Sequence, residues 1–196
     1  MNEHATRYDR VASLLHWLIG IALLGQIAFG FLLDEIAPRG TPARGAVINL
    51  HKSLGLVLGA AIVLRLLWRL WHRPPAWPAG MSERQRSAAR LGHRVLYACM
   101  LVMPASGYIA SNFSKHGIKL FGTPLAPWGP DLPIVYSAFN LLHLATAWVF
   151  TALIAGHIVV AFKHAFVDRD AIFARIAPWT SGTTPPTRHT TQRETA

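Results

Sequence analysis

Four long apolar stretches dominate the chain and restrict what it can fold into. Each approaches the ~20 residues that a helix needs to cross a bilayer. They cover about residues 14–33, 51–68, 95–112 and 140–162. In lipid every backbone polar group must be satisfied internally, which leaves helices and closed barrels as spanning structures. The length and number of these stretches predict an all-α integral membrane protein with four spanning helices.

The composition agrees with a membrane protein. Hydrophobic residues make up 52% of the chain and charged residues 14%, whereas a soluble domain carries about 25% charged residues. The net charge of +10 would suggest nucleic acid in a soluble chain, but the basic residues lie beside the apolar stretches. Membrane topology explains them better, so no nucleic-acid partner is expected. The single cysteine, Cys99, can form neither an internal disulfide nor a thiolate metal cluster, and is expected to be a small buried residue.

The arginines and lysines are distributed unevenly between the two ends of the predicted spans. Most lie before the first span, between the second and third, and after the fourth. Because basic loops remain in the cytoplasm, we expect both termini and the middle link on that side. Residues 34–46 and 113–134 would then be outer loops, the second long and structureless. Residues 1–178 would form one membrane domain, and residues 179–196 a polar, disordered cytoplasmic tail.

Four histidines lie in the apolar stretches at two depths. His143 and His157 are fourteen residues apart, so they leave the same helix face about 21 Å apart. His51 opens the second span from the outer side, and His16 opens the first from the cytoplasmic side. Depth therefore pairs His51 with His143 and His16 with His157. Imidazoles inside a membrane helix are costly and usually functional.

Two depth-matched pairs of imidazoles are what two bis-histidine haems require. Haem iron accepts axial imidazole, and two such ligands close both axial positions, which suits electron transfer better than oxygen activation. Zinc would need three or four ligands at one point, and a lone histidine could instead hydrogen-bond a neighbouring helix. The pattern predicts an electron carrier, with a structural or transport membrane protein as the alternative class.

His93 is the main rival ligand, and could be the partner of either His157 or His16. It lies at the cytoplasmic start of the third span, and we favour His16 because it sits further inside its apolar stretch. His164 lies seven residues beyond His157 on roughly the same face. It could donate a proton or cap the helix.

Two glycines lie on the same helix faces as candidate ligands. Gly30 lies fourteen residues after His16, and Gly107 bears the same relation to His93. Either glycine could leave room for a haem or serve ordinary helix packing.

Arg65 lies fourteen residues after His51 and so faces inward at the depth of the cytoplasmic haem. It could pair with a haem propionate or snorkel to the interface. The propionate role is favoured because Arg69, one turn further on, could snorkel instead.

These features resemble the bacterial cytochrome b561 family over roughly residues 6–178. The matching stretches are residues 7–17, 51–55, 64–69, 93–97, 104–107 and 162–170, together with the spacing of the last two ligands. The resemblance implies a four-helix bundle in the bacterial inner membrane that holds two haems b. It implies the ligand pairs His16/His157 and His51/His143, in agreement with depth, and a quinone as electron partner.

The best-understood activity of that family is superoxide oxidation. The resemblance therefore implies an enzyme, a superoxide:ubiquinone oxidoreductase, that moves electrons from periplasmic superoxide through two haems to ubiquinone. Positive charge near the outer haem would steer the anion, and Lys52, Lys115 and Lys119 could supply it or could equally face lipid headgroups. Because the family also includes cytochromes that serve a separate protein, the alternative is an electron-transfer subunit docking on a periplasmic or membrane redox protein.

Overall fold

The computed structural model describes residues 7–72, 74–78, 80–170 and 172–177, and within them helices dominate. The long helices are α1 (Arg10–Phe31), α3 (Arg44–Trp71), α4 (Glu83–Asn112) and α5 (Pro133–Phe162). A short helix, α2 (Leu33–Ile36), follows α1, and the strands β1 (Ile118–Leu120) and β2 (Thr123–Leu125) form an antiparallel hairpin between α4 and α5. A π-helical turn (Lys163–Val167) and a 3₁₀ turn (Phe173–Arg175) come after α5.

The four long helices are each long and apolar enough to cross a membrane. Their outward faces leave large apolar side chains uncovered, among them Ile21, Leu64, Leu141 and Val159, each more than 60% exposed. An apolar surface of this kind is stable in contact with lipid, whereas its exposure to water costs free energy. The prediction of an all-α membrane four-helix bundle is confirmed, while the side on which the termini lie stays a prediction.

The helices begin earlier than the predicted spans because the residues before each predicted span are also helical. Helix α4 starts at Glu83, where Ser82 and Gln85 form a reciprocal capping box. Helix α1 starts after Asp9, whose carboxylate accepts a hydrogen bond from the Ala12 amide. Helix α5 starts with Pro133, which has no amide hydrogen to leave unsatisfied. As a result the candidate ligands lie well inside their helices rather than at the ends.

The buried apolar core takes residues from all four long helices. It contains Ile19, Leu23, Leu58, Ile62, Cys99, Met100 and Phe150. Cys99 is buried in it, as the sequence predicts. Helix α4 packs along α5, and α3 contacts both α1 and α4. A Cβ atom at Gly59 would lie 3.1 Å from Cβ of Pro104, so the glycine lets α3 and α4 approach closely.

The second outer loop is structured, contrary to the expectation of a structureless segment. Its hairpin turns at Phe121 and Gly122, which both have positive φ, and it packs against α3. Two three-residue strands around a Gly-Pro-rich turn are too short to give a recognisable alternating pattern, which explains why the sequence did not reveal them. The predicted tail over residues 179–196 lies outside the described residues.

Candidate functional site

Seven-residue steps on each long helix arrange the candidate residues in three layers. Seven residues are almost two turns, so three such residues share one helix face at intervals of about 10 Å. The outer layer contains Gly30, His51, Gly107 and His143, the middle layer Leu23, Leu58, Met100 and Phe150, and the inner layer His16, Arg65, His93 and His157. The names outer and inner follow the orientation predicted from the basic residues. Below, the outer and inner layers are called the outer and inner sites.

In the outer site, His51 and His143 face each other across the bundle. Their ring centres are 6.5 Å apart, and the rings are nearly perpendicular. The carbonyl oxygen of Met103 accepts a 2.9 Å hydrogen bond from Nδ1 of His143, which leaves Nε2 of that ring free to bind a metal. The Gln26 amide donates to the His51 carbonyl at 2.7 Å and lies 3.2 Å from Nδ1 of the same residue. Both imidazoles are thus held in place by neighbouring helices.

Two glycines make room for these imidazoles. A Cβ atom at Gly30 would lie 3.1 Å from Cε1 of His51, and one at Gly107 would lie 3.1 Å from Cε1 of His143. Few real Cβ atoms have contacts this short, so alanine at either position would push the ring aside. The space beside each glycine is therefore filled by a histidine ring.

The inner site brings three imidazoles together instead of two. The ring centre of His157 lies 6.3 Å from that of His16 and 5.7 Å from that of His93. His93 donates from Nδ1 to the Ala89 carbonyl at 2.7 Å, whereas Nδ1 of His16 accepts a 2.9 Å hydrogen bond from Arg65. His93 lies ten residues inside α4 and His16 only six inside α1. Depth within the helix therefore gives no reason to prefer His16.

The spacing of the imidazoles fits a haem iron between them. A metal–imidazole bond is about 2 Å long and the ring nitrogen lies about 1.15 Å from the ring centre, so two imidazoles on opposite sides of one metal have centres about 6.3 Å apart. The His51–His143 and His16–His157 separations, 6.5 and 6.3 Å, both match this value, and the His93–His157 separation of 5.7 Å is slightly short. Donor type and spacing suit bis-imidazole ligation of a b-type haem.

Arg65 points into the inner site, where it meets both an imidazole and an aromatic ring. Besides its hydrogen bond to His16, its guanidinium carbon lies 5.9 Å from the ring centre of Tyr97, and that of Arg69 lies 5.6 Å from the same ring. An aromatic ring close to two guanidinium groups attracts both and offsets part of their mutual repulsion. Tyr97 therefore allows two cations to lie close together at this depth.

The start of α1 and the segment after α5 cover the inner site. The Trp17 ring contacts that of His16 on one side and that of Phe173 on the other. Its indole nitrogen donates to the Ile176 carbonyl at 3.1 Å. Arg7 donates to two carbonyl oxygens of the same segment. Trp17 and Phe173 thus cover the inner site on the His16 side.

The three candidate lysines gather at the outer end of the bundle but in different settings. Nζ of Lys52 is half-buried and donates to the Gly117 carbonyl at 2.8 Å. Lys115 and Lys119 are exposed and line a cavity of about 280 Å³ together with His116 and Asp131. The lysine next to His51 therefore holds the hairpin loop in place, and the other two face its open side.

His164 lies in the turn that follows α5 and pairs with carboxylates. Its Nδ1 is 2.7 Å from a carboxylate oxygen of Asp170 and 3.3 Å from one of Asp168. Lys163 also pairs with Asp168. The ring is therefore held by acidic groups at the end of the span.

Sequence reasoning missed several residues that shape the two sites. The seven-residue spacing of Leu23, Leu58, Met100 and Phe150 could have revealed the middle layer, because each stands midway between two candidates already recognised. No spacing rule points to Gln26 or Tyr97, whose partners lie on other helices.

Comparison with known proteins agrees with this geometry. The family model described as prokaryotic cytochrome b561 matches residues 7–179. Cytochrome b561 homolog 2 of Escherichia coli (strain K12) is 31% identical over 175 residues, which cover 87% of this chain and 90% of that protein. Cytochrome b561 homolog 1 of the same organism is 24% identical over 184 residues, covering 88% and 97%. The chain therefore belongs to the prokaryotic cytochrome b561 family, and it is a multi-pass membrane cytochrome that binds haem b and transfers electrons.

Proposed function

We propose that the chain is a di-haem superoxide:ubiquinone oxidoreductase of the bacterial inner membrane, with the outer site on the periplasmic side. In the overall reaction two superoxide anions each lose one electron to become O₂. One ubiquinone gains two electrons and two protons to become ubiquinol. The observation that carries the proposal is the pair of imidazole sites, with separations of 6.3 and 6.5 Å, on either side of one apolar layer.

The histidines would hold the two haems. His51 and His143 would bind one, and His16 and His157 the other. Ring positions are set by the helix backbones, whereas the long side chain of Arg65 can exchange one hydrogen-bond acceptor for another. The match in ring separation therefore outweighs the present hydrogen bond to His16, and His16 is preferred to His93. When bound, haem supplies reversible one-electron chemistry, and the protein supplies position and environment.

The remaining residues of the sites would orient the ligands and exclude water. The Met103 carbonyl keeps the hydrogen of His143 on Nδ1, so that Nε2 faces the site. Phe150, only 1% exposed, separates the two sites and keeps water out of the middle layer. The Arg65 guanidinium lies where it could pair with a propionate carboxylate, a bond for which arginine is well suited.

Positive charge around the outer site would assist an anionic donor. Lys52 follows His51 directly, and Ser53 Oγ lies 3.0 Å from the carbonyl oxygen of Lys119. The hairpin loop is thereby held against α3 beside the ligand, with Lys115 and Lys119 exposed. Long-range attraction by such charges raises association rates and weakens with ionic strength.

Turnover of the purified holoprotein tests the proposal directly. Superoxide and a soluble ubiquinone should give ubiquinol, with two O₂ released per quinol formed. Lys119→Glu should lower the second-order rate with superoxide and make it less dependent on salt, with the haem spectra unchanged. Arg39→Glu is the matched control, because Arg39 is 83% exposed on the other outer loop. Negligible turnover of the unmodified protein would contradict the proposal and favour a cytochrome that docks on a separate redox protein.

A further inference from the structure

The tip of the β1–β2 hairpin carries an aromatic side chain in an unusual setting. Phe121 has φ +46° and is followed by Gly122 with φ +95°. Two-residue hairpin turns of this kind normally use Asn, Asp or Gly, because bulky residues disfavour positive φ. Phe121 nevertheless leaves 61% of its surface uncovered by the protein. The chain thus adopts a costly backbone conformation and presents an apolar ring outward.

The tip is fixed at a definite level along α3. Ser53, which is fully buried, accepts a 2.9 Å hydrogen bond from the Phe121 amide, and its Oγ lies 3.0 Å from the Lys119 carbonyl oxygen. Oδ1 of Asn49 accepts a hydrogen bond from the Lys119 amide at 3.2 Å. The hairpin is therefore docked on the stretch of α3 that also carries His51.

That level lies inside the apolar part of the bilayer. Ser53 precedes Arg69 by sixteen residues, which is about 24 Å along a helix. Arg69, in the last turn of α3 beside the 75% exposed Trp71, marks the opposite membrane boundary. Since the hydrocarbon core is about 30 Å thick, Ser53 lies about 6 Å inside the boundary at the outer-site end.

Much of the hairpin backbone has hydrogen-bond partners within the protein. In lipid an unpaired backbone polar group costs several kcal/mol, so irregular backbone is tolerated there only where protein satisfies it. The two strands pair with each other over Leu120↔Thr123 and Ile118↔Leu125, and Ser53 and Asn49 satisfy β1 from the α3 side. The strand that faces α3 therefore has protein partners for its backbone groups up to the Phe121 amide.

A second aromatic residue lies at the same end of the bundle. Trp128 is 57% exposed, and its ring lies edge-on to that of Phe113 at 5.1 Å. Its amide donates to the Asn112 side chain at the end of α4. Tryptophan is enriched where the hydrocarbon meets the headgroups, which agrees with a boundary just above the hairpin tip.

We propose that the hairpin tip, residues 120–123, inserts into the bilayer leaflet at the outer-site end, with the Phe121 ring among the acyl chains. The hairpin is then a lipid-anchored cover beside the outer site. This inference concerns contact with lipid alone and does not depend on the electron donor.

Spin labels at single cysteines test the depth of the tip. Cys99, the single cysteine of the sequence, is first replaced by alanine. The label is then placed by Phe121→Cys, by Val57→Cys on the exposed face of α3, or by Lys115→Cys on the open side of the loop. The holoprotein is reconstituted in phosphatidylcholine–phosphatidylglycerol vesicles, and collisions with O₂ and with a water-soluble nickel chelate are measured. The haem spectrum confirms that each variant is folded.

The expected result is that position 121 behaves like position 57, with frequent collisions with O₂ and at least several-fold fewer with nickel than at position 115. Equal nickel access at positions 121 and 115 would overturn the proposal. Protection of position 121 from both reagents would also overturn it, since that result means a cover of protein, such as a second copy.

Phe121→Trp provides a test that needs no label. The added emission, taken as the difference from the unmodified protein, should be quenched by brominated phosphatidylcholine and not by aqueous iodide. Lys115→Trp is the control and should show the reverse. Iodide quenching at position 121 would contradict insertion.

Discussion

The guanidinium group of Arg65 lies 2.9 Å from Nδ1 of His16 and joins two helices across the inner site. A cation in the inner site, whether it contacts His16 or a propionate, stabilises the reduced form of a nearby redox centre, because reduction removes positive charge. Arg65→Gln should therefore lower the midpoint potential of one haem and leave the other unchanged. A lost interaction of about 1–2 kcal/mol corresponds to about 40–90 mV for a one-electron centre.

Potentiometric titration of the haem absorbance measures this shift. Arg65→Lys keeps the charge and should recover most of the potential, although it loses the planar fork of donors. A shift in both haems, or in neither, would show that Arg65 does not belong to a single site.

The pairing of ligands predicts which histidines are lost together. His51→Ala and His143→Ala should each remove the same haem, and His16→Ala and His157→Ala should each remove the other. The unmodified protein should contain two low-spin haems per chain that do not react with carbon monoxide. A pyridine haemochrome assay gives the number of haems per chain, and low-temperature spectra show which haem each variant has lost.

His93→Ala separates the two candidate partners of His157. We expect two haems to remain in this variant, with one spectrum perturbed, because the His93 ring lies 5.7 Å from that of His157. Loss of the haem in His93→Ala, combined with its retention in His16→Ala, would assign the ligand to His93.

Alanine in place of the two outer glycines should disturb one haem only. Gly30→Ala and Gly107→Ala would each place a methyl group 3.1 Å from the ring of a proposed ligand, and overpacking of this kind costs about 1–3 kcal/mol. We expect lower occupancy of the outer haem and a lower unfolding temperature. Gly20→Ala in α1 is the matched control, since a Cβ atom there has no neighbour within 4 Å. It should be neutral or slightly stabilising.

The unequal distribution of basic residues predicts the orientation in the membrane. Reporter fusions after Leu33 and within residues 113–134 should be active as periplasmic fusions. Fusions at residue 80 and after Pro178 should be active as cytoplasmic fusions. The reversed pattern would place Lys115 and Lys119 in the cytoplasm, away from periplasmic superoxide.

The sequence predicted features that depend on one helix at a time. The number of spans follows from the number and length of the apolar stretches. The difference in depth between His143 and His157 follows from the rise of a single helix, so neither needs tertiary information. The early start of α4 was missed because its first turns are polar and stabilised by Ser82 and Gln85. Contacts between helices, such as Gln26 with His51, depend on how the helices pack and left no periodic signal.

The choice between His16 and His93 shows where sequence reasoning ends. Both residues lie near the inner-site ends of spans. Their apolar surroundings in the sequence suggested a preference for His16 that the helix boundaries do not support. The structure adds ring separations and hydrogen bonds, which are properties of packed helices. We retain His16 as the preferred ligand because of these ring separations. No pattern in the sequence supports that choice.

Helix α5 provides one histidine to each site, His143 and His157, and Phe150 lies midway between them in the sequence. Inserting or deleting one residue between positions 143 and 157 would rotate one imidazole by about 100° relative to the other and shift it by about 1.5 Å. One of the two imidazoles would then point away from its partner across the bundle. Length changes elsewhere, as in the loop after α2, move neither imidazole. Among homologues that use both sites, the interval between these histidines should therefore stay constant in length, even where the loops differ freely in size.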